Sequence, residues 1–94
     1  MYNCTVCGYG ELLFPPQDYI ICPSCGTEFG YTDFNTSHPI LRRAWIRQGM
    51  SWQSTVVKRP ANWNPVEQLI QAGYVKDLLQ IQSESAEKNV KRVG

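Results

Sequence analysis

The sequence predicts an α+β metal-bound domain, in which short antiparallel strands carry two cysteine knuckles and two or three helices follow. All four cysteines fall within the first 25 residues, as two Cys-x2-Cys pairs that are each followed by glycine. Helix-capping residues and apolar residues at helical spacing begin only after position 35. We therefore divide the chain into a metal-binding part at 1–35, a helical part at 36–82 that packs on it as one compact unit, and a polar, frayed tail at 83–94.

Size and charge limit the function classes. The chain has 94 residues and a net charge of +1, so its overall charge gives no general case for binding nucleic acid or a membrane. The charge is unevenly distributed, because residues 1–41 contain four carboxylates and no lysine or arginine, whereas all nine basic residues lie from Arg42 onward. The sequence thus joins an acidic metal-binding part to a basic remainder.

The predicted strands lie around the cysteines. The run 11–14 is β-favouring, and Pro15 and Pro16 after it favour a turn because proline cannot donate to a strand ladder. A second strand is predicted over 19–21 and a third over 27–31, each rich in aromatic or β-branched residues. Together they predict a short hairpin that joins the two knuckles.

Helix signals mark the second half of the chain. Thr36 or Ser37 is a candidate N-cap, and Gly49 is a natural end for the first helix. The run 64–67 combines an N-cap asparagine, an N1 proline and an N3 glutamate, which predicts the start of a second helix. Residues 75–81 either extend that helix or form a third one.

The two knuckles predict a metal site. A two-residue gap lets both thiolates of a pair reach one ion at about 2.3 Å. Gly8 and Gly26 directly follow the second cysteine of each pair, where glycine permits a tight turn that aims backbone N–H groups at sulfur and spreads the thiolate charge. The predicted ligands are Cys4, Cys7, Cys22 and Cys25.

Alternatives for the cysteines remain. A disulfide framework has three connectivities, but the sequence shows no secretion signal, and a redox pair would need a βαβ pattern that neither motif has. Tetrahedral thiolate sites suit zinc, which we favour, and also a single iron, which is the alternative. Four thiolates leave no position open for water, so the predicted site is structural.

Little else in the sequence indicates catalysis. His38 is the only histidine, and its place beside a predicted helix start favours a surface or capping role. No Gly-rich phosphate loop and no paired acid at suggestive spacing occurs, so we expect no enzyme activity. No apolar run approaches the roughly 20 residues that span a bilayer, and we expect a cytoplasmic protein without a membrane partner.

Arginines and tryptophans after residue 41 are the candidate partner-binding residues. Several of the arginines share one predicted helix, where a solvated face is the ordinary interpretation and a nucleic-acid patch the alternative. The tryptophans are expected to pack in the core, and an exposed one could anchor a protein partner. These candidates are Arg42, Arg43, Trp45, Arg47, Trp52 and Trp63.

Two resemblances follow from these motifs. Residues 2–9 and 22–26 resemble the two knuckles of rubredoxin, although the short gap between the pairs is closer to zinc ribbons. Over about 70 residues the chain also resembles small bacterial zinc-ribbon proteins of the cysteine-rich CPCC type, at 2–9, 15–16, 19–26, 28–31, 41–42, 45–46, Gly49, Trp52 and 60–69. It departs from that type at Thr5-Val6, where a second Cys-Pro knuckle would stand. The resemblance implies a rubredoxin-like zinc-ribbon fold but carries no assigned activity, and some relatives are associated with bacterial toxin systems as immunity proteins.

The functional prediction is a zinc-binding protein that acts as a small protein-interaction module. The most specific version of this prediction is an immunity or antitoxin-type protein that binds an unknown protein partner. One alternative is a rubredoxin-like iron protein that transfers electrons. The other is nucleic-acid binding through the helix that carries Arg42, Arg43 and Arg47.

Overall fold

The computed structural model describes the backbone of residues 1–93 and the side chains of residues 1–84. It contains three helices: α1 (His38–Arg47), α2 (Pro65–Gln71) and α3 (Val75–Val93). The part before α1 consists of turns and short irregular connections. We call residues 1–35 the knuckle segment.

The predicted α+β class with rubredoxin-like antiparallel strands is wrong. Across residues 1–93 no β-strand is present, and the pairing is limited to two isolated antiparallel bridges, Tyr2–Leu12 and Ile21–Glu28. Each bridge closes the chain around one knuckle and does not continue into a ladder. The protein is therefore helical, with an irregular cysteine-bearing segment at its start.

Local backbone chemistry explains why the ladders stop. Asp18 and Tyr19 both have positive φ, 54° and 64°, so the chain turns at the residues where the second strand was expected to begin. Pro15 and Pro16 remove two N–H donors from the connection just before that turn. The β-favouring side chains of 19–21 therefore do not lie in a regular extended run.

The helices begin where the capping residues indicate. The Ser37 hydroxyl accepts from the backbone N–H of Ile40 over 3.3 Å at the start of α1. At α2, the Asn64 side chain accepts from the N–H of Glu67 over 3.1 Å. Gly73, with φ of 84°, follows the C-cap of α2, so residues 75 onward form a separate helix.

The core joins the knuckle segment to the helices. α3 packs against both α1 and α2. Cysteines and apolar side chains from the knuckle segment lie in the same buried cluster as side chains from all three helices. The helical members of this cluster are Trp45, Ile46, Leu69, Leu78 and Ile81.

Two sequence-based expectations keep their status as predictions. The backbone of α3 continues to Val93, whereas the sequence predicts a frayed tail over 83–94; the side chains from 85 and all of Gly94 lie outside the described residues. The division at 35 and 82 likewise remains a prediction. Among the described helices, none is long and apolar enough to cross a membrane.

Candidate metal centre

The four cysteines converge on one point in the core. Their sulfur atoms all lie within 4.8 Å of one another. Cys4 Sγ is 3.8 Å from Cys25 Sγ, and Cys7 Sγ is 3.7 Å from Cys22 Sγ. A tetrahedron of sulfurs about 2.3 Å from a central zinc ion has edges of about 3.8 Å, so these separations fit one tetrahedral metal. They are far longer than the roughly 2.0 Å of a disulfide, and all four cysteines are free.

Each knuckle is a tight turn closed by backbone hydrogen bonds. Gly8 N–H donates to the carbonyl of Cys4 over 2.9 Å, and Gly26 N–H donates to that of Cys22 over 2.8 Å. Both glycines have positive φ, 86° and 79°, which glycine adopts without steric cost. The N–H that points at a sulfur is that of Val6, 3.4 Å from Cys4 Sγ. Gly8 and Gly26 thus stabilise the turns through hydrogen bonds from their N–H groups to the carbonyl oxygens of Cys4 and Cys22.

Two buried hydroxyl groups lie next to the sulfurs. Ser24 Oγ is 3.5 Å from Cys7 Sγ, and Thr27 Oγ1 is 3.3 Å from Cys25 Sγ. Ser24 is fully buried and Thr27 is nearly so. A hydroxyl can donate its proton to a metal-bound thiolate, so both groups are placed to spread the charge of the sulfur cluster.

Gln68 of α2 connects the two knuckles. Its Nε2 donates to the carbonyl of Cys7 and to the Ser24 hydroxyl, each over 3.1 Å. Its Oε1 accepts from the indole N–H of Trp63 over 2.7 Å. Since Ser24 accepts from Gln68, its own proton is left to point at Cys7 Sγ. One amide therefore orients both turns and the hydroxyl between them.

Arg42 of α1 fastens the first knuckle. Its Nε donates to the carbonyl of Val6 over 2.7 Å, and its Nη2 donates to that of Thr5 over 2.8 Å. The remaining Nη1 pairs with Asp77 of α3 at 2.8 Å, and the guanidinium lies 3.4 Å from the ring centroid of Tyr74. Arg42 is only 7% exposed. Each of the three guanidinium nitrogens of this buried arginine forms a hydrogen bond, and together these bonds connect the first knuckle to α1 and α3.

The second knuckle is held by backbone from the loop after α1. Gln53 N–H lies 3.2 Å from the carbonyls of both Pro23 and Ser24, and Ser54 N–H donates to Pro23 over 3.0 Å. The middle residues of both knuckles thus present their carbonyl oxygens outward, and each pair meets donors from elsewhere in the chain. The sulfur cluster is consequently fixed from both sides.

The three predicted tryptophans pack in or against the buried core that contains the cysteines. Trp52 contacts Trp63 edge to face at 5.3 Å between ring centroids, and Tyr9 contacts Trp52 in the same way at 5.5 Å. Trp45 is buried and lies 6.4 Å from Trp63. All three indole N–H groups donate inside the molecule, those of Trp45 and Trp52 to the carbonyls of Ser51 and Val57. These contacts are those of core side chains.

The other candidate arginines lie beside carboxylates. Arg43 is 3.7 Å from Asp77, and Arg47 is 3.2 Å from Glu84, whose side chain is about as exposed as that of Arg47. The Arg47–Glu84 pair is exposed and contributes little stability, but both carboxylates lower the positive potential of this helix face. The helix therefore presents a partly neutralised surface.

A chain of hydrogen bonds links His38 to the first knuckle. His38 Nδ1 is 2.8 Å from Thr5 Oγ1, and its Nε2 is 2.7 Å from Asp33 Oδ2. Asp33 also accepts from the N–H of Gly30. The bond to His38, followed by that to Gly30, holds the pKa of Asp33 below its ordinary value of 3.8. His38 is thus bonded on both ring nitrogens.

Proton sharing is expected within the thiol cluster before a metal binds. Burial is the main cause that raises the pKa of Cys7. Hydrogen bonds from Cys22 and then Cys4 lower the pKa of Cys25, and a hydrogen bond from Cys22 is the main cause that lowers the pKa of Cys4. A cluster of buried thiols that share protons in this way releases protons when a divalent cation takes their place.

Sequence reasoning missed several residues of this site. Gln68 and Arg42 reach the knuckles from 61 and 36 positions away, and no local pattern marks either contact. Ser24 stands between the cysteines of the second knuckle, and this position was the available signal for its role. The class that the structure defines is a small helical protein built around a cluster of four cysteines that could hold a metal ion.

Comparison with known proteins adds one distant relative. The chain is 28% identical over 71 residues to a protein of Bacillus subtilis (strain 168) named Uncharacterized protein YoaQ; the match covers 52% of this chain and 60% of the relative. The chain thus spans less than two thirds of the length of that curated relative. No protein-family model matches, so the CPCC resemblance remains a prediction. No solved structure matches either.

Proposed function

We propose that the four cysteines hold one structural zinc ion, and that the protein is a small non-catalytic interaction module whose shape depends on this ion. The observation that carries the proposal is the convergence of four sulfur atoms within 4.8 Å of one another, with two of their separations at 3.7 and 3.8 Å. Four sulfur donors complete the coordination of zinc and leave no site for a reacting water.

Burial of the site supports zinc over an electron-transfer iron. Cys4, Cys7 and Cys22 are at most 1% exposed, Cys25 is partly buried, and the cysteines share one core with side chains from all three helices. An ion at the centre of the core stabilises the fold directly, since metal binding of this kind is folding free energy. Iron suits the same sulfurs chemically, so the measured metal decides between them.

The surface features favour binding over catalysis. A cleft of about 620 Å³ beside the first knuckle is lined by amide and carboxylate side chains such as Gln71, Glu11 and Glu67. Its lining contains no histidine, cysteine, serine or threonine, so its two glutamates, Glu11 and Glu67, have no such side chain in the cleft with which to form a catalytic pair. Buried Arg42 and the carboxylates beside Arg43 and Arg47 disfavour nucleic-acid binding by this helix.

The finer proposal, neutralisation of a bacterial toxin, is supported only by the resemblance of the sequence to CPCC-type proteins. A compact, metal-stabilised binder fits that role. It names a biological setting for the interaction module and leaves the partner open.

Metal removal tests the central part of the proposal. Near-ultraviolet circular dichroism is the suitable readout, because the tryptophans pack beside the cluster while the knuckle segment has no strand to report in the far ultraviolet. We expect chelation, checked by metal analysis, to abolish the tryptophan signal and expose 2–31 to hydrogen exchange, and zinc to restore both. An unchanged signal after confirmed metal loss would contradict a structural ion. Stoichiometric iron and reversible bleaching in protein from its native source would favour electron transfer.

A further inference from the structure

Large apolar side chains are exposed along the loop around the second knuckle. We call residues 18–34 the second-knuckle loop. Tyr19, Ile21, Tyr31 and Phe34 are 66%, 58%, 73% and 79% exposed. Phe29 of the same loop is 1% exposed and anchors it in the core. Exposed apolar groups that cluster on one loop mark an interaction site, whereas scattered single ones do not.

Backbone contacts hold these side chains close together. Tyr19 N–H donates to the carbonyl of Phe29 over 2.8 Å, and Ile21 pairs with Glu28 across an antiparallel bridge. The Tyr19 ring lies over Gly30, where an added Cβ would be 3.4 Å from the ring. Phe34 N–H donates to the carbonyl of Tyr31 at the end of the loop. The apolar residues thus lie on one loop whose backbone is fixed by internal hydrogen bonds, which lowers the entropy cost of binding.

The backbone at Tyr19 is strained. Asp18 and Tyr19 occupy left-handed conformations, with φ of 54° and 64°. Aspartate tolerates this region, but a bulky aromatic residue does so only at a cost in free energy. Glycine would satisfy the same turn without that cost. The Tyr19 side chain is exposed at this position and is therefore accessible to a partner.

The second-knuckle loop itself carries acidic and no basic residues. Asp18 precedes Tyr19, and Glu28 lies opposite Ile21. Neither carboxylate forms an ion pair with a described residue, whereas Asp33 does pair with His38. No lysine or arginine occurs in residues 1–41, and four thiolates around a divalent ion add a formal charge of −2. Aromatic faces also attract guanidinium and ammonium groups.

We propose that the second-knuckle loop is the docking surface of the protein and that its partner is a basic protein surface, with lysine or arginine side chains around an apolar depression. Tyr19 and Phe34 enter the depression while Asp18 and Glu28 meet the surrounding cations. The inference rests on the proposed function as an interaction module and names its surface and partner chemistry. An anionic membrane would be repelled by the same carboxylates.

A defined probe tests this surface. Zinc-loaded protein is used to select binders from a phage-displayed library of random 16-residue peptides. The expected binders carry net positive charge with apolar residues, and their affinity falls as salt rises. We expect a double variant, Tyr19→Ser with Phe34→Ser, to weaken the selected peptides at least tenfold. Another, Asp18→Asn with Glu28→Gln, should reduce affinity and flatten its salt dependence.

The matched control places the same change elsewhere. Val56 and Leu79 are also exposed, by 90% and 58%, so the double variant Val56→Ser with Leu79→Ser should leave peptide affinity within twofold. Should the Tyr19 substitution disturb folding, as judged by zinc content and near-ultraviolet dichroism, the pair Tyr31→Ser with Phe34→Ser is measured in its place.

Three outcomes would overturn the inference: neutral or acidic selected peptides, equal losses in the control, or a concentration-dependent dimer that the Tyr19 variant abolishes. The last would mean that a second copy covers the loop. These failures are separable from failure of the proposed function, because the metal-removal experiment involves no partner. If the protein keeps its structural zinc but the peptide experiment gives one of these results, only the assignment of the docking surface is refuted.

Discussion

The Arg42 guanidinium donates to the carbonyl oxygen of Val6 over 2.7 Å, so a helix residue holds the first knuckle from 36 positions away in the chain. The same side chain binds Thr5 and pairs with Asp77. Replacing Arg42 leaves these carbonyls and a largely buried carboxylate without their partner. We expect Arg42→Met to lower the free energy of unfolding by about 3 kcal/mol in urea titrations. Arg42→Lys should also lose most of this, because an ammonium cannot reproduce the planar fork.

Arg43→Met is the matched control for that change. Arg43 also faces Asp77, but at 3.7 Å and with a side chain that is 30% exposed. Its removal should cost less than about 1 kcal/mol. Equal losses in the free energy of unfolding at the two positions would show that removal of a positive charge near Asp77 is responsible, and not the loss of the hydrogen bonds from Arg42 to the first knuckle.

The Gln68 amide makes the metal site depend on α2. Gln68→Glu keeps the shape but replaces the donor to the Cys7 carbonyl and the Ser24 hydroxyl with a carboxylate beside a negatively charged cluster. We expect zinc affinity, measured by competition with a chromophoric chelator, to fall about 10- to 100-fold. Gln71→Glu introduces the same charge on an exposed position of α2 and should change affinity by less than about threefold. A comparable loss in both variants would argue against the specific bonds.

Gly8 is restricted by space as well as by conformation. A Cβ at this position would lie 2.5 Å from the Ala72 Cβ and 3.1 Å from the Gln68 carbonyl oxygen, so α2 would have to move. Gly73 has a nearly identical φ, 84° against 86°, but nothing lies within 4 Å of its added Cβ. Gly73→Ala therefore carries the conformational cost alone, about 1 kcal/mol. We expect Gly8→Ala to lower the thermal midpoint by clearly more than Gly73→Ala, and similar midpoints would contradict the packing of α2 on the first knuckle.

The bond between Asp33 and His38 has a pH signature. The folded-state pKa of Asp33 lies below 3.8, so the ionised carboxylate contributes stability that is fully present above that value and is lost as the pH falls through the lowered pKa. At pH 3.8, where an unperturbed aspartate is half protonated, the ¹³C carboxyl resonance of Asp33 should therefore report mostly the ionised form in protein that metal analysis shows to keep its ion. In His38→Gln the pKa should move toward 3.8. A wild-type midpoint at or above 3.8 would exclude the bond.

Short-range patterns predicted the parts of the structure that depend on neighbouring residues. The Cys-x2-Cys-Gly spacing anticipated two turns that place sulfurs together, and the capping residues Ser37 and Asn64 mark the starts of α1 and α2. The strands failed because β-favouring side chains do not specify a ladder, and positive φ at Asp18 and Tyr19 interrupts it.

Roles that depend on distant contacts were not readable from the sequence. Arg42 was a candidate for binding a partner, but its buried bonds to the first knuckle and Asp77 give it an internal role. The same holds for Trp45, which is 4% exposed. Conversely, Tyr19 begins a predicted strand, and the structure exposes both its side chain and that of Phe34 to solvent. Only the folded chain shows which aromatic residues are covered.

X-ray absorption at the metal edge, on protein purified from its native host, identifies the bound ion and counts the atoms that coordinate it. We expect one zinc ion per chain with four sulfur neighbours at about 2.3 Å and no coordinating oxygen or nitrogen. Changing any one ligand, for example Cys25→Ser, should remove one sulfur from that shell. Stoichiometric iron would contradict the assignment of zinc. Disulfide-bonded cysteines without metal, or a shell containing water, would contradict the closed structural site.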